Sequence, residues 1–144
     1  MAKFVVERLK SGYVDMTINE YLVITDIICD EHDEVLVLPS FYEGEAITRI
    51  GFCQGFTPEH EEWADWHHPA KGLTWVPDHY FFLSKKIVLP DTVKKVVIPS
   101  TIDSISSEMK EAFEAITCEI DPENKFYKME DGKIVWYKKA SWLD

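Results

Sequence analysis

The chain has 144 residues, with 26 Asp and Glu against 15 Lys and Arg and a net charge of −11. That length suits one domain, expected to span 1–144 and to bury enough surface to stand without disulfides or metal. The negative field disfavours a phosphate backbone or an anionic bilayer, so the expected partner is a protein, preferably a basic one, with no nucleic acid and no membrane.

Taken in order, the first third reads as antiparallel β-structure. A strand is expected over 4–9, a tight hairpin turn at Lys10-Ser11-Gly12, and a second strand in which Val14, Met16 and Ile18 alternate with Tyr13, Asp15 and Thr17. Residues 21–28 and 35–38 are apolar on both faces and are placed inside, joined by the polar run 30–34. Thr57-Pro58-Glu59 then offers a hydroxyl cap, a first-turn proline and a carboxylate near the positive end of a helix dipole. That helix should stop before Pro69, since a residue preceding proline is pushed out of the α region. Residues 69–84 read as irregular and aromatic-rich, so about 57–85 is taken as an insertion.

Strands are expected again at 87–89 and 96–98, each closed by a proline. Ser107 is expected to cap a short helix with Met109, Ala112, Phe113 and Ile116 at helical spacing. A strand follows in which Ile116, Cys118 and Ile120 alternate with polar residues, and a last one over 133–138 after the Asp131-Gly132 turn. The fold class is therefore β-rich α+β, with an N-terminal β-hairpin, two short helices and one aromatic-rich insertion.

Cys29, Cys53 and Cys118 form no CxxC pair, which argues against a thiolate zinc site, and they are expected to be free thiols packed as small hydrophobes. Residues 1–10 lack the apolar core of a signal peptide, and no run approaches the roughly 18 apolar residues of a membrane span. The chain as written is expected in the cytoplasm; if a leader has been trimmed from it, it is secreted or surface-attached.

One pattern repeats: Val37-Leu38-Pro39-Ser40, Val88-Leu89-Pro90-Asp91 and Val97-Ile98-Pro99-Ser100. Two aliphatics place a rung in a sheet, and proline ends the ladder because it has no amide hydrogen to donate. Such a unit cannot bury its apolar face alone and needs stacked neighbours. Beyond the rung, Leu38-Pro39-Ser40 leads to Ala46-Ile47-Thr48-Arg49-Ile50-Gly51 and Gly55-Phe56. Likewise Ile98-Pro99-Ser100-Thr101-Ile102 leads through Ile105 to Ala112-Phe113, and Ile120-Asp121-Pro122-Glu123-Asn124 precedes Phe126-Tyr127 and Asp131-Gly132-Lys133-Ile134-Val135-Trp136. Over residues 20–56 and 86–139 this order resembles the BspA-type leucine-rich repeats of bacteria. The resemblance implies a short, degenerate stack of strands, a role in protein or surface recognition, and no shared catalytic residues. The chain departs from the pattern in the longer spacing to each Gly/Ala-Phe pair, and in the serine after Ile105.

The densest chemistry lies in Glu59-His60-Glu61-Glu62-Trp63-Ala64-Asp65-Trp66-His67-His68. On a helix His60 and His67 stand about 10.5 Å apart along the axis, and no HExxH is present; Glu61 and Asp65 share a face within reach of His68. A solvated acidic face explains these residues, so no metal ligand is assigned and no cofactor is expected. Trp63 and Trp66 share one side of the same helix, with Trp75 and Tyr80 following. These aromatics either pack the helix onto the sheet or form, with His67 and His68, an exposed anchor for a partner. Cys53, His60 and Asp65 lack the orienting sequence of a nucleophilic triad, and none of the six glycines forms a phosphate loop. The expected function is a non-catalytic protein-interaction module, using Trp63, Trp66, His67, His68, Trp75 and Tyr80. The alternative is a metal-dependent hydrolase or metal-binding protein using the cluster at 59–68. A third reading is a homo-oligomer joined through an exposed sheet edge.

Overall fold

A computed structural model describes residues 1–13, 19–56 and 79–137. Within them the chain is β-rich, with mixed sheets and one helix. Strands β1 (Lys3–Tyr13) and β2 (Asn19–Ile28) pair antiparallel from Lys3↔Ile28 to Ser11↔Asn19. Lys10, Ser11 and Gly12 are thus strand residues and not the expected turn; the alternating pattern at 14–18 lies outside the described residues. The ladder with β2 holds Lys10 and Ser11 extended, and Gly12 takes a φ of 124° that glycine alone adopts easily.

Two sheets carry parallel ladders, one all-parallel and three-stranded, the other a mixed sheet that includes the antiparallel β1–β2 pair. In the first, β3 (Val35–Val37) pairs with β8 (Lys95–Ile98), and β8 pairs with β10 (Thr117–Ile120). Leu36, Val96 and Cys118 form one column in register, and Ile98 stands beside Ile120. Leu38 extends the inward set, its amide donating to the Val97 carbonyl at 3.0 Å. In the second sheet β5 (Glu45–Ile50) runs parallel to β2 on one side and to β9 (Ser104–Ile105) on the other, so that Ile24, Ile50 and Ile105 align. A short β4 (Phe41–Tyr42) turns through Glu43-Gly44, both at positive φ, onto the start of β5.

Between the two sheets lies the core. Leu36, Leu38, Val96 and Ile98 face Ile24, Ile47, Ile50 and Ile105, and α1 (Ser107–Glu114) closes it with Met109 and Phe113, both fully buried. The cap of this helix is Ser106 and not Ser107: its hydroxyl accepts from the Met109 amide at 3.3 Å. The Ile-Gly step has a steric cause. Gly51 sits at φ 86°, and a Cβ there would fall 2.2 Å from the Ser106 hydroxyl and 2.4 Å from Met109 Cγ.

Three further expectations are corrected. Residues 87–89 form no strand, although Ile87 is buried and Leu89 half-buried against the same core. The third strand of that sheet is instead β10, whose Ile120 leads to Asp121-Pro122 and whose ladder is extended by the Asp121 amide donating to the Ile98 carbonyl at 2.9 Å. Residues 79–84, expected to be irregular, form β7 (His79–Ser84), which pairs with β6 (Phe52–Phe56) and with the end of β1. Finally, only the inward half of β3 is buried: Val35 and Val37 are 51% and 62% exposed. The expected helix from Thr57 lies outside the described residues.

The β6–β7 pair is anchored at two points. The Gln54 side chain acts as a surrogate strand: its Oε1 accepts from the Lys10 amide at 2.7 Å, and its Nε2 donates to the Lys10 carbonyl at 2.9 Å. Phe82 packs edge-on to Tyr21 and tilted against Phe52, both at 5.9 Å between centroids. The Arg49 guanidinium lies 4.3 Å from the Tyr21 ring centroid and 4.9 Å from that of Phe82. Cation–π contacts therefore fix this aromatic layer on the sheet face away from the main core. A last hairpin, β11 (Tyr127–Glu130) and β12 (Lys133–Trp136), turns at Asp131-Gly132 as expected. Asn124 ties it to the loop after β8: its amide donates to the Pro99 and Ile102 carbonyls, and its oxygen accepts from the Phe126 and Tyr127 amides, all at 2.8–3.0 Å. Among the described residues no helix is long and apolar enough to cross a membrane.

Candidate functional site

Parallel pairing with a period of two decides which side chains reach solvent. On the outer face of β3–β8–β10 the columns are Val35, Lys95 and Thr117, then Val37, Val97 and Glu119. Lys95 and Glu119 pair across this face at 2.6 Å, leaving Val35 and Val37 at the edge as an uncharged aliphatic strip. Beyond Pro39-Ser40, the β4–β5 turn presents Phe41 and Tyr42, 60% and 50% exposed. Four large apolar side chains are thus exposed within eight consecutive positions, 35–42. Scattered single exposed hydrophobes are ordinary, whereas a contiguous patch of several hundred Å² marks a contact surface, which makes this run the candidate.

An ion pair stands beside Tyr42. Arg8 grips Glu45, at the base of the turn, with two bonds of 2.8 and 2.9 Å, and this pairing holds the Glu45 carboxyl below its usual range. β3 is also the edge of its three-stranded sheet, opposite β10. An edge strand offers backbone donors and acceptors for further pairing, and β3 itself carries neither a lysine nor a proline to blunt it.

A second feature lies at the other ends of the parallel strands. An open groove of about 960 Å³ runs between residues 86–94 and α1. Ile87, Val93, Ala112 and Ile116 supply its apolar lining, and its charged lining is mixed, with Lys86, Asp91 and Lys94 from the 86–94 segment and Glu108 and Glu111 from α1.

Of the residues singled out from sequence, Trp63, Trp66, His67, His68 and Trp75 lie outside the described residues, as does the whole acidic-histidine span 59–68. Tyr80 is described: it is a half-buried β7 residue opposite Gly12 and Phe56, with the Lys10 ammonium 5.5 Å from its ring centroid. Among the described residues no three His, Cys, Asp or Glu side chains are placed to hold a metal ion. All three cysteines are free and half-buried. Burial, with Glu114 adding to it, pushes the Cys118 thiol up to about 12, so Cys118 presents no thiolate near neutral pH.

Sequence reasoning missed Val35, Val37, Phe41 and Tyr42. Its reading of 35–38 as apolar on both faces placed Val35 and Val37 inside, and it assigned no place to Phe41 and Tyr42. The available signal was the pair Glu43-Gly44 directly after Phe41-Tyr42, a two-residue turn that puts its flanks at a loop tip. Comparison with family models, with curated proteins and with solved structures finds no match to this chain.

Proposed function

We propose that the protein is a non-catalytic protein-recognition module, a short and degenerate stack of the BspA-like leucine-rich-repeat kind. The observation that supports this reading is the in-register parallel alignment of Leu36, Val96 and Cys118 in one sheet and of Ile24, Ile50 and Ile105 in the other. Two parallel ladders on either side of one core are what a stack of short strand–turn–strand units produces. The recognition surface is the run Val35, Val37, Phe41 and Tyr42, together with the aromatic insertion carrying Trp63, Trp66 and Trp75. Binding buries these apolar groups, and the net charge of −11 favours encounter with a basic partner.

Proximity labelling with three proteins tests the reading: the native chain, V37T/F41S/Y42S, and W63A/W66A/W75A. The expected result is a partner set lost from at least one variant that keeps the native melting temperature. Identical partner sets for all three proteins would contradict the proposal.

A further inference from the structure

We propose that the free edge of β3 binds an extended peptide by strand addition, and that this peptide carries aliphatic side chains between flanking lysines or arginines. The inference rests on the recognition reading above and adds to it the mode of binding and the chemistry of the ligand.

The backbone register fixes which groups are on offer. In the β3–β8 ladder the Leu38 amide donates to the Val97 carbonyl at 3.0 Å, and the Glu34 carbonyl accepts from the Lys95 amide at 3.2 Å. Backbone direction alternates along a strand, so positions 34, 36 and 38 turn their polar groups toward β8. Those of Val35 and Val37 point the other way. Among the described residues β3 pairs with β8 alone, which leaves two amides and two carbonyls open to a further strand. The exposed side chains of the same two valines stand on the outer face, where aliphatic groups of an added strand would extend their strip. Leu36 and Leu38 stay anchored in the core, so the edge is already extended before a ligand arrives, which lowers the cost of binding.

Charge selects the ligand. From Asp30 to Thr48 the chain holds six carboxylates, at 30, 31, 33, 34, 43 and 45, and no lysine or arginine. Asp30 and Asp33 accept the N-terminal ammonium, and Arg8 holds Glu45. Lys95, beside Val35 on the outer face, is paired at 2.6 Å with Glu119 on the side of β8 away from β3. Lys94 gives its amide to the Glu34 carbonyl, but its ammonium forms no ion pair among the described residues. Glu34 and Glu43 likewise form none there, and both are exposed. One precedes β3 and the other follows Phe41-Tyr42 in the turn. A strand laid along Val35–Val37 therefore lies between two unpaired carboxylates, and basic residues on either side of its aliphatic centre complement both. A second copy of the chain does not. Paired antiparallel about Leu36, it would set residues 30–34 of one copy against 38–42 of the other and draw Glu31 toward Glu43, with −11 on each chain adding to the repulsion.

The test selects random twelve-residue peptides from a displayed library against the full chain and titrates them by fluorescence polarisation. The expected result is enrichment of alternating aliphatic residues flanked by Lys or Arg, with NMR amide shifts centred on Val35 and Val37. Each selected peptide is then resynthesised with one N-methyl amide at a time. Affinity should fall roughly tenfold at every second central amide and hold at those between, because only amides that face β3 lose a bond. On the protein, Val37→Pro removes an outward amide that bonds nothing within the ladder, so it should keep the native melting temperature and weaken binding to the same degree. E34Q/E43Q should weaken it roughly threefold. Should Val37→Pro lower the melting temperature, the methylation pattern on the native chain decides by itself. Binding lost in V37T/F41S/Y42S but indifferent to the position of the N-methyl group would overturn strand addition and leave the recognition surface standing. Binding indifferent to every one of these changes would remove both. Enrichment of acidic peptides, no enrichment above an unrelated acidic domain, or a dimer that Val37→Pro dissociates would also overturn the proposal.

Discussion

The backbone amide of Leu38 donates to the carbonyl of Val97 at 3.0 Å, which sets the aliphatic-proline unit at 37–40 directly beside that at 97–100. One inward and one outward position of the same short strand therefore have opposite roles. Leu36 is fully buried and Val37 is 62% exposed. Leu36→Ala should cost about 2–5 kcal/mol, the range for truncating a core leucine. Val37→Ala should move stability by no more than about 0.5 kcal/mol. Urea midpoints with a common slope check the contrast.

Asn124 holds four backbone groups with one side chain: the Pro99 and Ile102 carbonyls and the Phe126 and Tyr127 amides. Asn124→Ala leaves them without partners in a region closed to solvent. The expected loss is about 3 kcal/mol, because each stranded polar group carries its own desolvation cost. Hydrogen exchange should quicken at Phe126 and Tyr127 before it does at Val96.

Gly51→Ala adds a Cβ that cannot be placed without moving the Ser106 cap and Met109. The left-handed backbone at φ 86° adds conformational strain. Together these should cost about 2–4 kcal/mol by denaturant unfolding. Gly44→Ala carries the strain without a clash, since nothing lies within 4 Å, and should cost less.

Alkaline stability should report on Cys118. Its folded thiol is pushed up to about 12 by burial, while in the unfolded chain it ionises near roughly 8.5. The folded form keeps its proton longer, so the contribution is complete below the unfolded value and is withdrawn as pH rises toward the folded one. Cys118→Val should flatten the fall in urea midpoint above about pH 8.5. An unchanged slope would show that other groups carry it.

Local chemistry made much of this fold legible. The aliphatic-proline steps at 37–40 and 97–100 predict rungs because proline ends a ladder wherever it stands, and both became neighbouring strands. The spacing of Met109 and Phe113 gave the helix, displaced by one residue at its cap. Failures came where partners decide. Val88-Leu89-Pro90 carries the same letters but pairs with no strand among the described residues, so it runs irregularly along the groove. Lys10-Ser11-Gly12 has turn composition, yet its pairing with Asn19, Glu20 and Tyr80 keeps it extended. Gln54 and Arg49 gave no local signal, because their roles depend on Lys10, Tyr21 and Phe82, far away in sequence. The exposed strip at 35–42 was hidden by its apolar composition, which reads as core unless the edge position of β3 is known.

Backbone NMR on the native chain tests the stacked arrangement most directly. Contacts between α and amide protons should follow a parallel register, linking Leu36 to the Val96 neighbourhood and Val96 to that of Cys118, with slow exchange through β8. An antiparallel pattern, or the absence of any contact between residues 35–38 and 95–98, would contradict the repeat stack and the recognition role proposed from it.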